Sequence, residues 1–75
     1  MTSIAAYVAV FTFTLASGQT VETEEEIYSS REECLLNSEA EAKSMERQWK
    51  WEEEKTGMPS FFKGVEVRCE VMRPR

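Results

Sequence analysis

The chain has 75 residues, a net charge of −5 and a pI of about 4.7. All fourteen of its acids are glutamate, and it contains neither aspartate nor histidine. Because the chain has no histidine, it cannot by itself form a Ser-His-Asp triad or a Cys-His pair. Two cysteines with scattered glutamates are also a poor set of zinc ligands. The acidic balance argues against direct nucleic-acid binding, which relies on clustered Lys and Arg. We therefore expect one small non-catalytic domain with no metal site and no cofactor.

The first predicted element is a strand over residues 7–15, because β-branched and aromatic residues alternate there. The stretch is too short to span a bilayer, so no membrane association is expected. Ala16, Ser17 and Gly18 also resemble a signal-peptide cleavage site. However, residues 1–19 contain no Lys or Arg, and a signal peptide normally begins with a basic segment. We favour a buried strand and keep a secreted protein without residues 1–18 as the alternative.

A turn at residues 17–19 leads into a second predicted strand over residues 20–28, which makes a hairpin. Side chains on a strand alternate between its two faces. One face holds Val21, Thr23 and Ile27, and the other holds Glu22, Glu24 and Glu26. Glu25 interrupts the apolar face, which indicates either a bulge or a frayed strand end.

A helix over residues 31–55 is the clearest element. Ser30 and Glu33 have the spacing of a capping box at its start, and Gly57 follows its end. No Gly or Pro interrupts the helix. Its apolar stripe, at spacings of three and four residues, consists of Leu35, Ser38, Ala42, Met45 and Trp49, with Cys34 and Leu36 at the edges.

A third strand is predicted over residues 61–72, where Val65, Val67 and Cys69 alternate with charged residues. The tight hairpin makes the first two strands antiparallel neighbours. The helix then carries the chain back along the sheet, so the third strand runs antiparallel to the first. The first strand is the most apolar and therefore suits the central position. These features predict a ββαβ α+β fold, a three-stranded sheet of order 2-1-3 with one helix on one face.

This topology brings the two cysteines to the same end of the domain. Cys34 lies in the first turn of the predicted helix, and Cys69 lies near the end of the third strand. Both are expected to point into the interface between helix and sheet, where they are able to form a disulfide. The alternative is two buried thiols, the state that a cytoplasmic location favours.

Two groups of glutamates are candidates for partner binding. Glu22, Glu24 and Glu26 are expected to form a row along one face of the second strand. Glu52, Glu53 and Glu54 lie in the last helical turn, where the helix dipole disfavours negative charge. Glutamates at a position where the helix dipole favours positive charge suggest a binding role. The alternative is that they form a solvated surface that serves solubility.

Two apolar features are further candidates for an interface. Trp51 points about 200° away from Trp49 around the helix, so it is either an exposed interface anchor or a core edge folded onto Phe62. Val8 and Val10, together with Thr12 and Thr14, are expected on the sheet face that has no covering layer. A bare face of this kind suggests a homodimer formed through the sheet.

The chain resembles short phage reading frames in three places. These are the strand that ends in Leu-Ala-Ser-Gly-Gln, the helix start Ser-Ser-Arg-Glu-Glu-Cys, and the closing Val-Arg-Cys strand. Its size, acidity and layout are similar to those of phage-encoded inhibitors of host defence, including the anti-CRISPR proteins. That group shares no motif, so the resemblance concerns general architecture and identifies no functional residue.

The leading hypothesis is a non-catalytic phage-type protein that acts in the host cytoplasm. It is expected to bind a host protein with a basic surface and to occupy a nucleic-acid-binding site there. The predicted contacts are one of the two glutamate groups, with Trp51 as the anchor. The alternative is a small structural or assembly module, homodimeric or part of a virion.

Overall fold

Within the part of the chain that the structure describes, three strands form one sheet in the order β2-β1-β3, with one helix, α1, packed on one face. The computed structural model describes residues 6–72. The strands are β1 (Ala6–Leu15), β2 (Thr20–Tyr28) and β3 (Phe62–Met72), and α1 spans Arg31–Thr56. β1 pairs antiparallel with both of its neighbours. The predicted ββαβ fold and strand order are confirmed.

β1 is the central strand, and its side chains alternate between the two faces of the sheet. Ala9 and Phe11 lie in the core beneath α1. Val8 and Val10 lie on the opposite face, which no helix covers, and we call this the open face. Residues 6–15, which the secreted alternative assigns to a leader, form the strand with which both other strands pair. Residues 1–5 of that predicted leader lie outside the described range.

A tight turn joins β1 to β2. The Leu15 amide donates to the Gln19 carbonyl at 2.8 Å, and the Gly18 amide donates to the Leu15 carbonyl at 2.9 Å. Gly18 has φ of 93°, a left-handed conformation that glycine adopts without steric cost. The expected hairpin therefore closes at the predicted glycine.

β2 contains a bulge. Val8 pairs with Ile27 and Val10 pairs with Glu24, so two residues of β2, Glu25 and Glu26, lie opposite Ala9. The extra residue reverses the alternation beyond it. Ile27 consequently lies on the open face and not beside Val21 and Thr23, which corrects the predicted apolar face. The interruption at Glu25 is the bulge that the sequence suggested.

α1 begins and ends at the expected residues. The Ser30 hydroxyl accepts a hydrogen bond from the Glu33 amide at 3.1 Å, which satisfies one free N–H of the first turn. The Glu33 carboxylate accepts from the Ser29 hydroxyl at 3.2 Å, so the second bond of the predicted capping box goes to a different partner. At the other end, Gly57 has φ of 73°, and its amide donates to the Glu53 carbonyl at 2.8 Å.

The helix buries a narrow stripe against the sheet. Cys34, Ser38 and Ala42 are its buried residues, and the Ser38 hydroxyl donates to the Cys34 carbonyl at 2.6 Å. Further along α1, aromatic rings form the contact, with Trp49 stacked on Phe62 at a centroid distance of 5.0 Å. The sheet therefore meets small side chains beneath the first half of the helix and aromatic ones beneath the second.

A disulfide closes the end of the domain where α1 begins. Cys34 and Cys69 are bonded, with their Cα atoms 6.2 Å apart. The sequence placed both cysteines at this end and left open whether they pair. The bond ties the first turn of α1 to β3 across 35 residues of chain.

Candidate protein-binding surface

The open face exposes a different apolar side chain from those that the sequence suggested, because Ile27 is 60% exposed there. Val8 and Val10 do lie there, but only 7% and 3% of their surfaces are exposed. In the register of the sheet, Glu24 and Arg68 flank Val10 on the two neighbouring strands. Long charged side chains can cover apolar surface with their stems while their charged ends stay in water. The homodimer through this face stays a prediction; of the four residues on which it rests, Val8 and Val10 are buried and Thr12 and Thr14 are half-buried.

Arg68 crosses the open face from β3 to β2. Its guanidinium donates to Glu22 on the far strand at 3.2 Å and to Glu70 on its own strand at 2.7 Å. The hydrogen bonds to Glu70 and then to Glu22 raise the pKa of Arg68, which therefore stays charged. Glu22 thus forms an intramolecular ion pair at the protein surface.

The predicted row of Glu22, Glu24 and Glu26 is broken by the bulge. Glu22 pairs with Thr12 and Glu24 with Val10, which places both glutamates on the open face. Glu26 lies beyond the shift in register, where it accepts a hydrogen bond from the Tyr28 hydroxyl at 3.4 Å. Since Tyr28 packs against the core beneath the helix, Glu26 lies on the helix side of the sheet.

A larger acidic surface forms around Tyr28. Burial raises the pKa of Tyr28, and the negative charges of Glu26, Glu41 and Glu33 raise it further. These three side chains are therefore close enough to act on one phenol, although they come from different elements. All three are exposed, as are Glu25 in the bulge and Glu24, which lies on the open face of the same edge strand. We call this surface the acidic flank, and it consists of Glu24, Glu25, Glu26, Glu33 and Glu41.

The basic residues of the helix lie mostly on its other side. At 100° per residue, Lys43, Arg47 and Lys50 are about 180–240° around α1 from Glu41. Lys50 also lines a shallow depression together with Lys63, which is on β3. On that side of α1 the bases lie among Glu39 and Glu46, so the charge there is mixed. The acidic flank, by contrast, consists of glutamates alone.

Trp51 lies on the surface of the helix. It is 56% exposed, and the Lys55 ammonium lies 4.6 Å from the centre of its ring. Trp49 is the tryptophan that stacks on Phe62. Of the two predicted alternatives for Trp51, the exposed position is the one that the structure has.

Glu52, Glu53 and Glu54 do not form one cluster. Consecutive helical residues are about 100° apart, so their carboxylates diverge. Glu53 accepts a hydrogen bond from the Ser60 amide at 2.7 Å and holds the loop after the helix. Glu52 lines a depression beside that loop, and Glu54 is exposed. The three glutamates thus have different surroundings.

Sequence reasoning missed three members of the acidic flank: Glu25, Glu33 and Glu41. In the sequence, Glu25 stands out only as an interruption of the apolar–polar alternation in residues 20–28. Glu33 and Glu41 have the eight-residue spacing that keeps helical residues on adjacent sides. They lie near β2 because of the way α1 packs on the sheet. The apolar stripe in the helix sequence does not show which of its two sides faces β2.

Among residues 6–72, no three Cys or Glu side chains are grouped as they would be to hold a metal ion. In the same range, no helix has the length and apolar character needed to cross a membrane. Comparison of the chain with protein-family models, curated proteins and solved structures finds no match.

Proposed function

We propose that the chain is a non-catalytic binding protein of the kind that phages encode against host defence. In this proposal the acidic flank occupies a basic, nucleic-acid-binding site on a host protein and blocks it. The observation that carries the proposal is the acidic flank, whose five exposed glutamates come from β2 and from the helix beside it. A patch of one sign steers association with a partner of the opposite sign.

The flank has features that suit a competitor of nucleic acid. Its carboxylates come from a strand and a helix that are fixed relative to each other by the sheet core. This backbone needs no ordering on binding, so the loss of conformational entropy is confined to the glutamate side chains. The same charge repels phosphates, so the partner is a protein and not DNA or RNA.

We place this activity in the host cytoplasm. Thiols are mostly kept reduced there, so Cys34 and Cys69 are expected to be in their thiol form in that compartment. Reduced cysteines still pack as small apolar side chains. The acidic flank depends on the β1–β2 hairpin and on α1, so the proposal requires the core around Phe11 to hold these elements together at the lower stability of the reduced form.

The proposal is tested by capturing partners from host lysate with the full chain and with two variants of equal charge. In both variants four glutamates become glutamine, so the net charge of −5 rises to −1. The flank variant carries Glu24→Gln, Glu25→Gln, Glu26→Gln and Glu41→Gln. The control variant carries Glu39→Gln, Glu46→Gln, Glu54→Gln and Glu66→Gln.

A partner that meets the proposal is retained by the parent chain and by the control variant and is lost by the flank variant. Its retention also falls steeply as salt rises, because exposed charges are screened. Equal loss in both variants would mean that net charge alone attracts the partner. Retention by the flank variant would show that binding occurs elsewhere on the chain.

A further inference from the structure

A depression of about 390 Å³ lies where α1 ends and the loop to β3 begins. Trp49 and Phe62, stacked on each other, contribute to its lining. Met58 and Phe61 also line it, and they are 69% and 66% exposed. Two large apolar side chains this exposed, side by side in one concave surface, are characteristic of a binding site.

The loop that carries these residues is held in place by backbone hydrogen bonds. The Ser60 amide donates to the Glu53 carboxylate at 2.7 Å. The Ala16 amide, in the β1–β2 turn, donates to the Phe61 carbonyl at 2.8 Å. The depression is therefore formed without a partner, and a ligand entering it has little ordering cost to offset.

The charged side chains that line the depression have one sign. Glu52 and Glu53 line it, and among the described residues no Lys or Arg does. The carboxyl end of α1 adds the negative end of the helix dipole to this region. The exposed ring of Phe61 offers a face to a cation, and Met58 adapts its shape to an apolar neighbour.

We propose that this depression binds a peptide segment of a partner protein in which Arg or Lys lies next to an aliphatic side chain. The cation lies toward Glu52, and the aliphatic chain covers Met58 and Phe61. The site is about 18 Å further along the helix than Glu41, measured to Glu53. It is separate from the acidic flank, so it stands or falls independently of the proposed function.

The test is an NMR titration of the isotope-labelled full chain with two tripeptides, acetyl-Leu-Arg-Leu-amide and acetyl-Leu-Glu-Leu-amide. The arginine peptide is expected to shift the Met58 methyl and Trp49 indole signals with saturation, and the glutamate peptide is not. Glu52→Gln is expected to weaken binding of the arginine peptide about two- to fivefold, the range of exposed ion pairs. Glu66→Gln, on the open face, serves as the control and leaves the affinity unchanged.

Three results would overturn the proposal. The arginine peptide produces no saturable shift at Met58 and Trp49, or both peptides shift these signals equally. The third result is a change in these signals with protein concentration when no peptide is present, which would show that a second copy of the chain occupies the depression.

Discussion

Reduction of the Cys34–Cys69 disulfide is expected to lower the free energy of unfolding by about 4 kcal/mol. The bond closes a loop of 35 residues, and loop-closure entropy for that length corresponds to roughly 3.8 kcal/mol at 25 °C. A domain of 75 residues has a total stability of roughly 4–11 kcal/mol. Only six apolar side chains are buried in the described part of the chain, so the core has little reserve. The disulfide therefore accounts for a large share of the stability.

Thermal unfolding followed by circular dichroism measures this contribution. At 4–8 °C per kcal/mol for a domain of this size, the reduced protein is expected to melt roughly 15–30 °C below the oxidised one. Reduction of the native chain removes no side chain, so it creates no cavity. The double variant Cys34→Ala, Cys69→Ala serves as the control, because its melting temperature does not respond to reductant.

Two results would refute this reasoning. Alkylation of both cysteines in the unreduced, unfolded protein would show that the bond is absent. A reduced protein that melts within a few degrees of the oxidised one would show that the helix and sheet are held mainly by other contacts. In that case the entropy of the 35-residue loop is already restricted in the unfolded chain.

Three further predictions concern the helix ends and Tyr28. Ser30→Ala removes the N-cap and is expected to destabilise the domain by about 1 kcal/mol in urea unfolding. Gly57→Ala is expected to cost about 1–2 kcal/mol because φ is 73° there, while Gly64→Ala, with similar open space and no positive φ, serves as the control with little effect. Burial and the neighbouring glutamates hold the pKa of Tyr28 above its ordinary value of 10.0 in the folded chain. The stability that the raised pKa of Tyr28 contributes is complete below pH 10 and is lost as the pH rises through the pKa of the folded state. Ultraviolet titration is expected to show late ionisation of Tyr28, and Glu26→Gln to move it back toward 10.0.

Most of the fold was predictable because its signals are local. The alternation in residues 7–15, the glycine at the hairpin and the capped helix each fix one element without reference to the others. The strand order then follows from which strand is most apolar. The exposure of the open face was not predictable in the same way. Arg68 must reach across β1 to Glu22 for the valines to be covered, and that depends on register in three strands.

The candidate surface was only partly predictable, and the bulge explains much of the difference. One extra residue in β2 moves Glu26 and Ile27 to the opposite faces from those that strict alternation gives. The sequence marked the irregularity at Glu25 but left open whether a bulge or a frayed end caused it. The contributions of Glu33 and Glu41 depend on the packing of α1 beside β2.

The most direct test of the central claim is competition between the chain and duplex DNA for the captured partner. The proposed mechanism makes the two ligands mutually exclusive. Increasing DNA is expected to displace the parent chain and the control variant, and the flank variant is expected not to compete with DNA. A stable complex containing the partner, the DNA and the chain together would contradict the account.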